Sequence, residues 1–262
     1  MFKLLVVLTT LVLFSPDAVY SYSNGKSYYK KWDSGKEVRR AHFIFNNANN
    51  VRGEINLLNF KPVNGEIPKP AERYDREKHF GGWLEQRTDN TCLDTRGKVL
   101  KNHSLSKVNI NSCRVVSGEW HDPYTNLNYQ RARDIQVDHV VALSNAYKTG
   151  AHQWAANKRC LYANYLGNDF HLLPVEGEEN ERKLDYDPSR YIPPNREYTC
   201  QYLKTWLKIK NIWDLRLTFK EASAILDYVD QEGCNRADFI IPATEITQQK
   251  QYIQKNLNFC KQ

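Results

Sequence analysis

Ile135-Gln-Val-Asp-His-Val-Val141 is the stretch on which the reading turns. It is short, apolar and β-branched, and it follows the charged run Arg131-Ala-Arg-Asp134, so it predicts a strand. Asp138 and His139 interrupt it. A carboxylate and an imidazole are costly inside a buried strand unless they are paired or bind something. Neighbours on a strand face opposite sides, so the two can share a face only if the chain bends or ends there. A strand running into a loop is where reactive groups are usually displayed. Alone, an Asp-His dipeptide is more often a structural accident than a site.

The residues that follow change that balance. Phe170-His-Leu-Leu-Pro-Val175 predicts a second strand, with Pro174 confining its end to an edge. Glu176 to Lys183 then begins a polar helix whose first turn carries Asn180, followed by Arg182 and Lys183. A helix start with these side chains offers a metal ligand and positive charge to a phosphate. Strand with Asp-His, loop, strand with His, helix with Asn is the order of a ββα-metal site, in which one side chain activates water while a cation held by others faces the phosphate.

Outward from this centre, Tyr202, Leu203, Trp206 and Leu207 recur at helical spacing after Cys200. Thr218-Phe-Lys-Glu221 predicts a capping box, with Ala222, Ile225, Leu226 and Val229 on one face and Gly233 as the stop. A tail helix is expected with Ile246, Ile253 and Leu257 on one side and Cys260 as a staple. Residues 24–73 are polar, with one apolar-periodic piece near Val38–Phe45 ahead of Pro62, Pro68 and Pro70, and read as an extension and linker. The expected organisation is a signal peptide at 1–21, extension and linker at 22–73, the functional domain at 74–234 and a helical tail at 235–262, in the α+β class.

Lys3 ahead of the apolar run Leu4–Phe14, then Pro16 and small residues, is the layout of a secretory signal. That run is too short for a permanent span, which needs roughly 20 apolar residues, so a secreted or periplasmic protein without a membrane span is expected. The signal carries one charge of each sign, Lys3 and Asp17, so the net charge of +7 survives its removal. A basic exported protein meets polyanions favourably, whether nucleic acid, anionic lipid or acidic glycan, although simple solubility explains such a charge equally well. Aromatic content of 12% argues against disorder.

Six cysteines, Cys92, Cys113, Cys160, Cys200, Cys234 and Cys260, lie in the exported part. Without a C-x-x-C spacing they point to disulfides rather than zinc. Cys92–Cys113 and Cys200–Cys234 each bracket one compact segment, which leaves Cys160 for Cys260.

The compound pattern resembles a known family, the secreted HNH-type nucleases whose domain also ends the GmrSD restriction enzymes. The resemblance rests on Asp138-His-Val-Val-Ala-Leu-Ser-Asn-Ala-Tyr147, Gly150-Ala-His-Gln-Trp154, Asn168-Asp-Phe-His-Leu-Leu-Pro-Val175 and Asn180 to Pro193. Upstream, Tyr74-Asp-Arg76, Phe80-Gly-Gly-Trp83, Thr95-Arg96 and Gly118 to Tyr124 also match, so that it covers about residues 74–234.

The resemblance implies a disulfide-stapled α+β fold around a ββα-metal core and an endonuclease acting on DNA or also RNA with little base specificity. It makes His139 the general base, with Asp138 and Asn180 ligating a divalent cation, Mg²⁺ before Mn²⁺ or Ca²⁺. His171 stands where the family usually has Asn; an orienting role, a third metal ligand and an inert strand histidine remain open. Lys183 and Arg182 become candidates for phosphate contacts, against a reading as solvated helix residues, and Arg96 either reaches the substrate or braces a turn. Tyr147 and Tyr191 replace Trp. His42, His79, His103, His121 and His152 have no partner at telling spacing. A silent nucleic-acid-binding protein and a glycan-binding module are the competing classes; neither explains the Asp-His and Asn-x-x-Lys spacings.

Overall fold

The computed structural model describes residues 41–47, 53–85 and 91–260; the expected signal peptide lies outside them. The strands are β1 (His42–Phe45), β2 (Glu54–Asn56), β3 (Phe60–Val63), β4 (Asn109–Asn111), β5 (Arg114–Asp122), β6 (Leu127–Arg131), β7 (Ile135–His139), β8 (Leu172–Glu176), β9 (Leu217–Thr218) and β10 (Ile240–Pro242). The helices are α1 (Arg76–His79), α2 (Thr95–Asn102), α3 (Leu143–Lys148), α4 (Ala156–Ala163), α5 (Gly177–Lys183), α6 (Thr199–Ile212), α7 (Phe219–Gln231) and α8 (Ala243–Lys255). This is the expected mixture of helix and strand.

β7 ends at His139, so the apolar run breaks at the dipeptide that interrupts it. It pairs antiparallel with β8, with Val137 opposite Pro174 and His139 opposite Leu172. Pro174 is tolerated because this sheet has only these two strands, and a residue without an N–H can face its outer edge. α5 follows β8 directly, started by the Glu176 carboxylate, which accepts the Glu179 N–H at 2.6 Å.

One face of β7 joins the apolar core of Leu93, Val99, Leu100, Val115, Trp120, Ala132, Ile135, Val137 and Leu172. α2, capped by Asp94 accepting from the Gly97 N–H at 2.7 Å, covers this core. The sheet β4-β5-β6 supplies Val115 and Trp120, the latter donating its indole N–H to the Leu100 carbonyl at 2.7 Å.

α7 carries the expected capping box, with both the Thr218 and the Glu221 hydrogen bonds formed. Gly233 follows it at a φ of 63°, a conformation that costs glycine little. α8 buries Ile246 and Ile253. The disulfides join Cys92 to Cys113, Cys160 to Cys260 and Cys200 to Cys234, the pairing that bracketing predicts.

The stretch expected as an extension and linker is built differently. β1 pairs with both β3 and β9, and β2 pairs with β10. β1, β2 and β3 therefore share their sheets with the C-terminal third of the chain, and all the described residues fall in one compact unit. Phe43 and Phe60 drive this: both are buried and meet edge to face, 5.9 Å between centroids. Among the described residues no helix is long and apolar enough to cross a membrane.

Candidate active site

Asp138 and His139 leave β7 on opposite faces, as strand geometry dictates. Asp138 shares its face with Gln136, and both look toward α5. Lys183, the last residue of α5, reaches across to Asp138 Oδ1 at 2.8 Å and to the His139 carbonyl at 3.1 Å. Tyr124 donates its hydroxyl to the other carboxylate oxygen, Oδ2, at 2.7 Å. The side chains of Lys183 and Asp138 are only 0% and 6% exposed. Burial raises the Asp138 carboxyl above its ordinary range, against the pull of Lys183 and then Tyr124. α5 stops at Leu184, held at a φ of 51° with its side chain exposed. A branched side chain rarely adopts that backbone, and the anchored Lys183 immediately precedes it.

His139 lies on the core side of β7. Its Nε2 donates to the Ala163 carbonyl, 2.9 Å away at the end of α4; since a carbonyl only accepts, that nitrogen carries the proton and Nδ1 holds the lone pair. No hydrogen bond among the described residues engages Nδ1, nor is it one of the unpartnered atoms sealed from solvent, so the small exposed part of this residue reaches it. The ring stacks parallel to Trp83, 5.2 Å between centroids and 1° between planes. Burial first, and then His171, push the imidazole pKa well below its usual value; the bond to Ala163 opposes this without winning. A neutral imidazole with one nitrogen tied and the other free is a base ready to accept a proton.

His171 is placed as a parallel device. Its Nε2 donates to the Tyr162 carbonyl at 2.9 Å, one residue before His139's acceptor. The two histidines thus satisfy consecutive carbonyls at the C-terminal end of α4, where a helix has no internal donors left. The His171 and His139 rings meet edge-on at 6.2 Å with no hydrogen bond between them. His171 is packed against Tyr162, Tyr165 and Trp213, its Nδ1 is sealed without a partner, and burial lowers its pKa to about 3. It fixes the end of α4 that holds His139 and meets the His139 ring edge-on, without hydrogen-bonding to it.

The other expected site residues are placed as follows. Asn180 donates to Gln136 Oε1 at 2.7 Å. Arg182 is exposed and pairs with Glu179 at 2.6 Å and Glu178 at 3.3 Å. Arg96 braces the start of β7, its Nη2 donating to the carbonyls of Ala132 and Ile135, each at 3.0 Å. Lys183, expected either to touch phosphate or to decorate a solvated turn, is no solvated residue: it is drawn into the interior against Asp138.

This arrangement does not fit the expected metal ligands. Both Asp138 oxygens already hold protein donors, and the adjacent charge is the Lys183 ammonium. Among the described residues no group of three or more His, Cys, Asp or Glu side chains could hold a metal ion.

Three contributors were not assigned roles from the sequence. Tyr124 and Trp83 sit in stretches that matched the family pattern without a function attached. Gln136, two residues before Asp138, was legible as its neighbour on one strand face. Asn164 explains Trp83: its side chain accepts the Leu84 N–H at 2.9 Å and donates to the Gly82 carbonyl at 3.2 Å. Residues 163 and 164 thereby hold the His139 ring and the backbone around Trp83 together.

The family model for the C-terminal domain of GmrSD restriction endonucleases matches residues 94–227, just over half of the chain. A protein of Arthroderma benhamiae, described as an uncharacterized secreted protein, is 37% identical over 156 residues, which are 60% of this chain and 74% of that one. No solved structure matches the chain.

Proposed function

The chain belongs to the family of the C-terminal domain of GmrSD restriction endonucleases, and from that premise we propose that it is an exported HNH-type endonuclease that hydrolyses phosphodiester bonds of DNA with little base specificity, RNA being the alternative substrate that the test below includes. The observation that carries this reading is His139: a neutral imidazole at the end of β7, its Nε2 tied to Ala163 and its Nδ1 free. The antiparallel pairing of β7 with β8, the direct passage from β8 into α5 and the tie from Lys183 back to the strand support a reading as a ββα core.

In the proposed reaction Nδ1 takes a proton from water as the water oxygen bonds to phosphorus. The bond from phosphorus to one ester oxygen breaks, and that oxygen leaves with a proton returned from solvent or from the imidazolium. Asp138 acts indirectly: locked by Lys183 and Tyr124, it fixes the backbone from which His139 projects. Low base specificity follows from contacts made to phosphate, which carry no sequence information. Export fits the three disulfides, which persist in oxidising compartments, and the relative described as secreted.

The test is incubation of purified protein with end-labelled DNA and RNA, with the products sized. Internal cuts at many positions are expected; intact strands of both kinds would reject the reading.

A further inference from the structure

Hydrolysis at a phosphodiester needs a cation at the phosphate as well as a base, and the cations assigned from the sequence are spoken for. Lys183 is buried against Asp138, Arg96 serves two backbone carbonyls, and Arg182 is paired with two glutamates. Nearby, Lys148 is paired with Asp185, Lys78 with Glu72, and Arg159 donates to the carbonyls of His79 and Trp154.

Arg76 differs. It is exposed on α1, and its guanidinium makes no hydrogen bond or ion pair with any described residue. It instead lies over the Trp83 indole, 5.3 Å from the ring centroid. Trp83 is the ring stacked on His139. Arg76 is near enough for its charge to contribute to the lowered His139 pKa, behind burial and His171.

The placement of Arg76 is built. Asp75 caps α1 by accepting the Lys78 N–H at 2.8 Å. The Phe80 and Gly81 N–H groups both donate to the Arg76 carbonyl, at 2.9 and 3.1 Å. His79 anchors the turn from below, Nδ1 against the Asp75 carbonyl at 2.7 Å and Nε2 against the Tyr147 hydroxyl at 3.0 Å. A planar, permanently charged fork on an aromatic face keeps its N–H groups directed outward, which suits bidentate contact with phosphate oxygens.

We propose that Arg76, laid on Trp83 beside His139, is the phosphate-binding residue of the site and holds the scissile or adjacent phosphate against the base. This rests on the nuclease reading above. It adds the residue that grips the substrate and makes Trp83 the plate that sets the distance between cation and base.

The experiment compares Arg76→Ala and Arg76→Lys with the wild-type residue in two assays. Cleavage of labelled duplex DNA is measured in the otherwise native protein. Binding of an uncut duplex by anisotropy, at several salt concentrations, is measured in the His139→Ala background. Arg76→Ala is expected to lower cleavage by on the order of 10²-fold, the size of one lost charge-stabilising donor, and to reduce the logarithmic salt slope of binding by about one. Arg76→Lys is expected to restore the salt slope, because the charge returns, but only part of the cleavage, because the fork does not. Cleavage within threefold of wild type by folded Arg76→Ala, or an unchanged salt slope, would overturn the proposal. If the native protein cuts nothing, the nuclease reading fails on its own, and the salt slope still decides whether Arg76 meets phosphate.

Discussion

Lys183 and Asp138 form an ion pair closed to solvent, Nζ to Oδ1 at 2.8 Å, that joins the end of α5 to the strand carrying His139. Removing one charge leaves the other buried and uncompensated, which typically costs about 3–5 kcal/mol. Lys183→Met should therefore lower unfolding stability by that amount in urea titrations, and Asp138→Asn/Lys183→Met, which removes both charges, should be less destabilised than the single variant. A loss of under about 1 kcal/mol, as for an exposed pair, would show that the pair is not sealed.

A carboxylate sealed from solvent and already matched by a buried ammonium should not retain a divalent cation. A resident ion at about 100 times its Kd would add about 2.7 kcal/mol of stability. Thermal melting of the protein without nucleic acid should be the same with Mg²⁺, Mn²⁺, Ca²⁺ or chelator. A melting temperature that rises with one of them, and no longer does so in Asn180→Ala, would restore Asp138 and Asn180 as ligands.

Arg96 separates bracing from substrate contact. Its bonds to Ala132 and Ile135 predict that Arg96→Met loses about 1–3 kcal/mol of stability by stranding buried carbonyls. Affinity for a duplex should be unchanged under conditions where the variant is folded. Weaker binding with undiminished stability would make it a substrate residue instead.

Burial gives stability a pH dependence of known sign. His171 titrates at about 3 in the fold and His139 well below its usual value, whereas both take up protons near 6.5 in the unfolded chain. Their contribution is complete above about pH 6.5 and falls as pH drops below it, for His171 down to about pH 3, at up to about 1.4 kcal/mol per pH unit. Urea midpoints between pH 7 and pH 4, on the order of the window just given, should fall more steeply in the wild type than in His171→Asn. Equal slopes would mean that His171 is not held neutral.

Much of this architecture was legible because its signals are local. The break at Asp138-His139, the edge strand with Pro174, the helix after Glu176 and the Thr218–Glu221 capping box each announce themselves within a few residues. The non-local pairings do not. β2 reads Glu-Ile-Asn and β4 Asn-Ile-Asn, too short and polar to show a period, and β1 finds β9 across most of the chain. Lys183 was illegible for a related reason: beside Arg182 in a polar helix it looks solvated. Only the register that turns Asp138 toward α5 reveals that it is buried. Likewise, Arg76 lies in a stretch that matches the family pattern without a role attached, and its significance comes from Trp83 lying on His139.

Whether His139 is the base of a phosphodiester hydrolase is decided by cleavage of a labelled DNA duplex by the wild type and by His139→Ala, with folding and duplex binding checked in both. His139→Ala is expected to keep the fold and the binding and to cut at a rate lower by on the order of 10²-fold or more, the usual size of a general-base contribution. A His139→Ala protein that cuts within threefold of the wild type would contradict it.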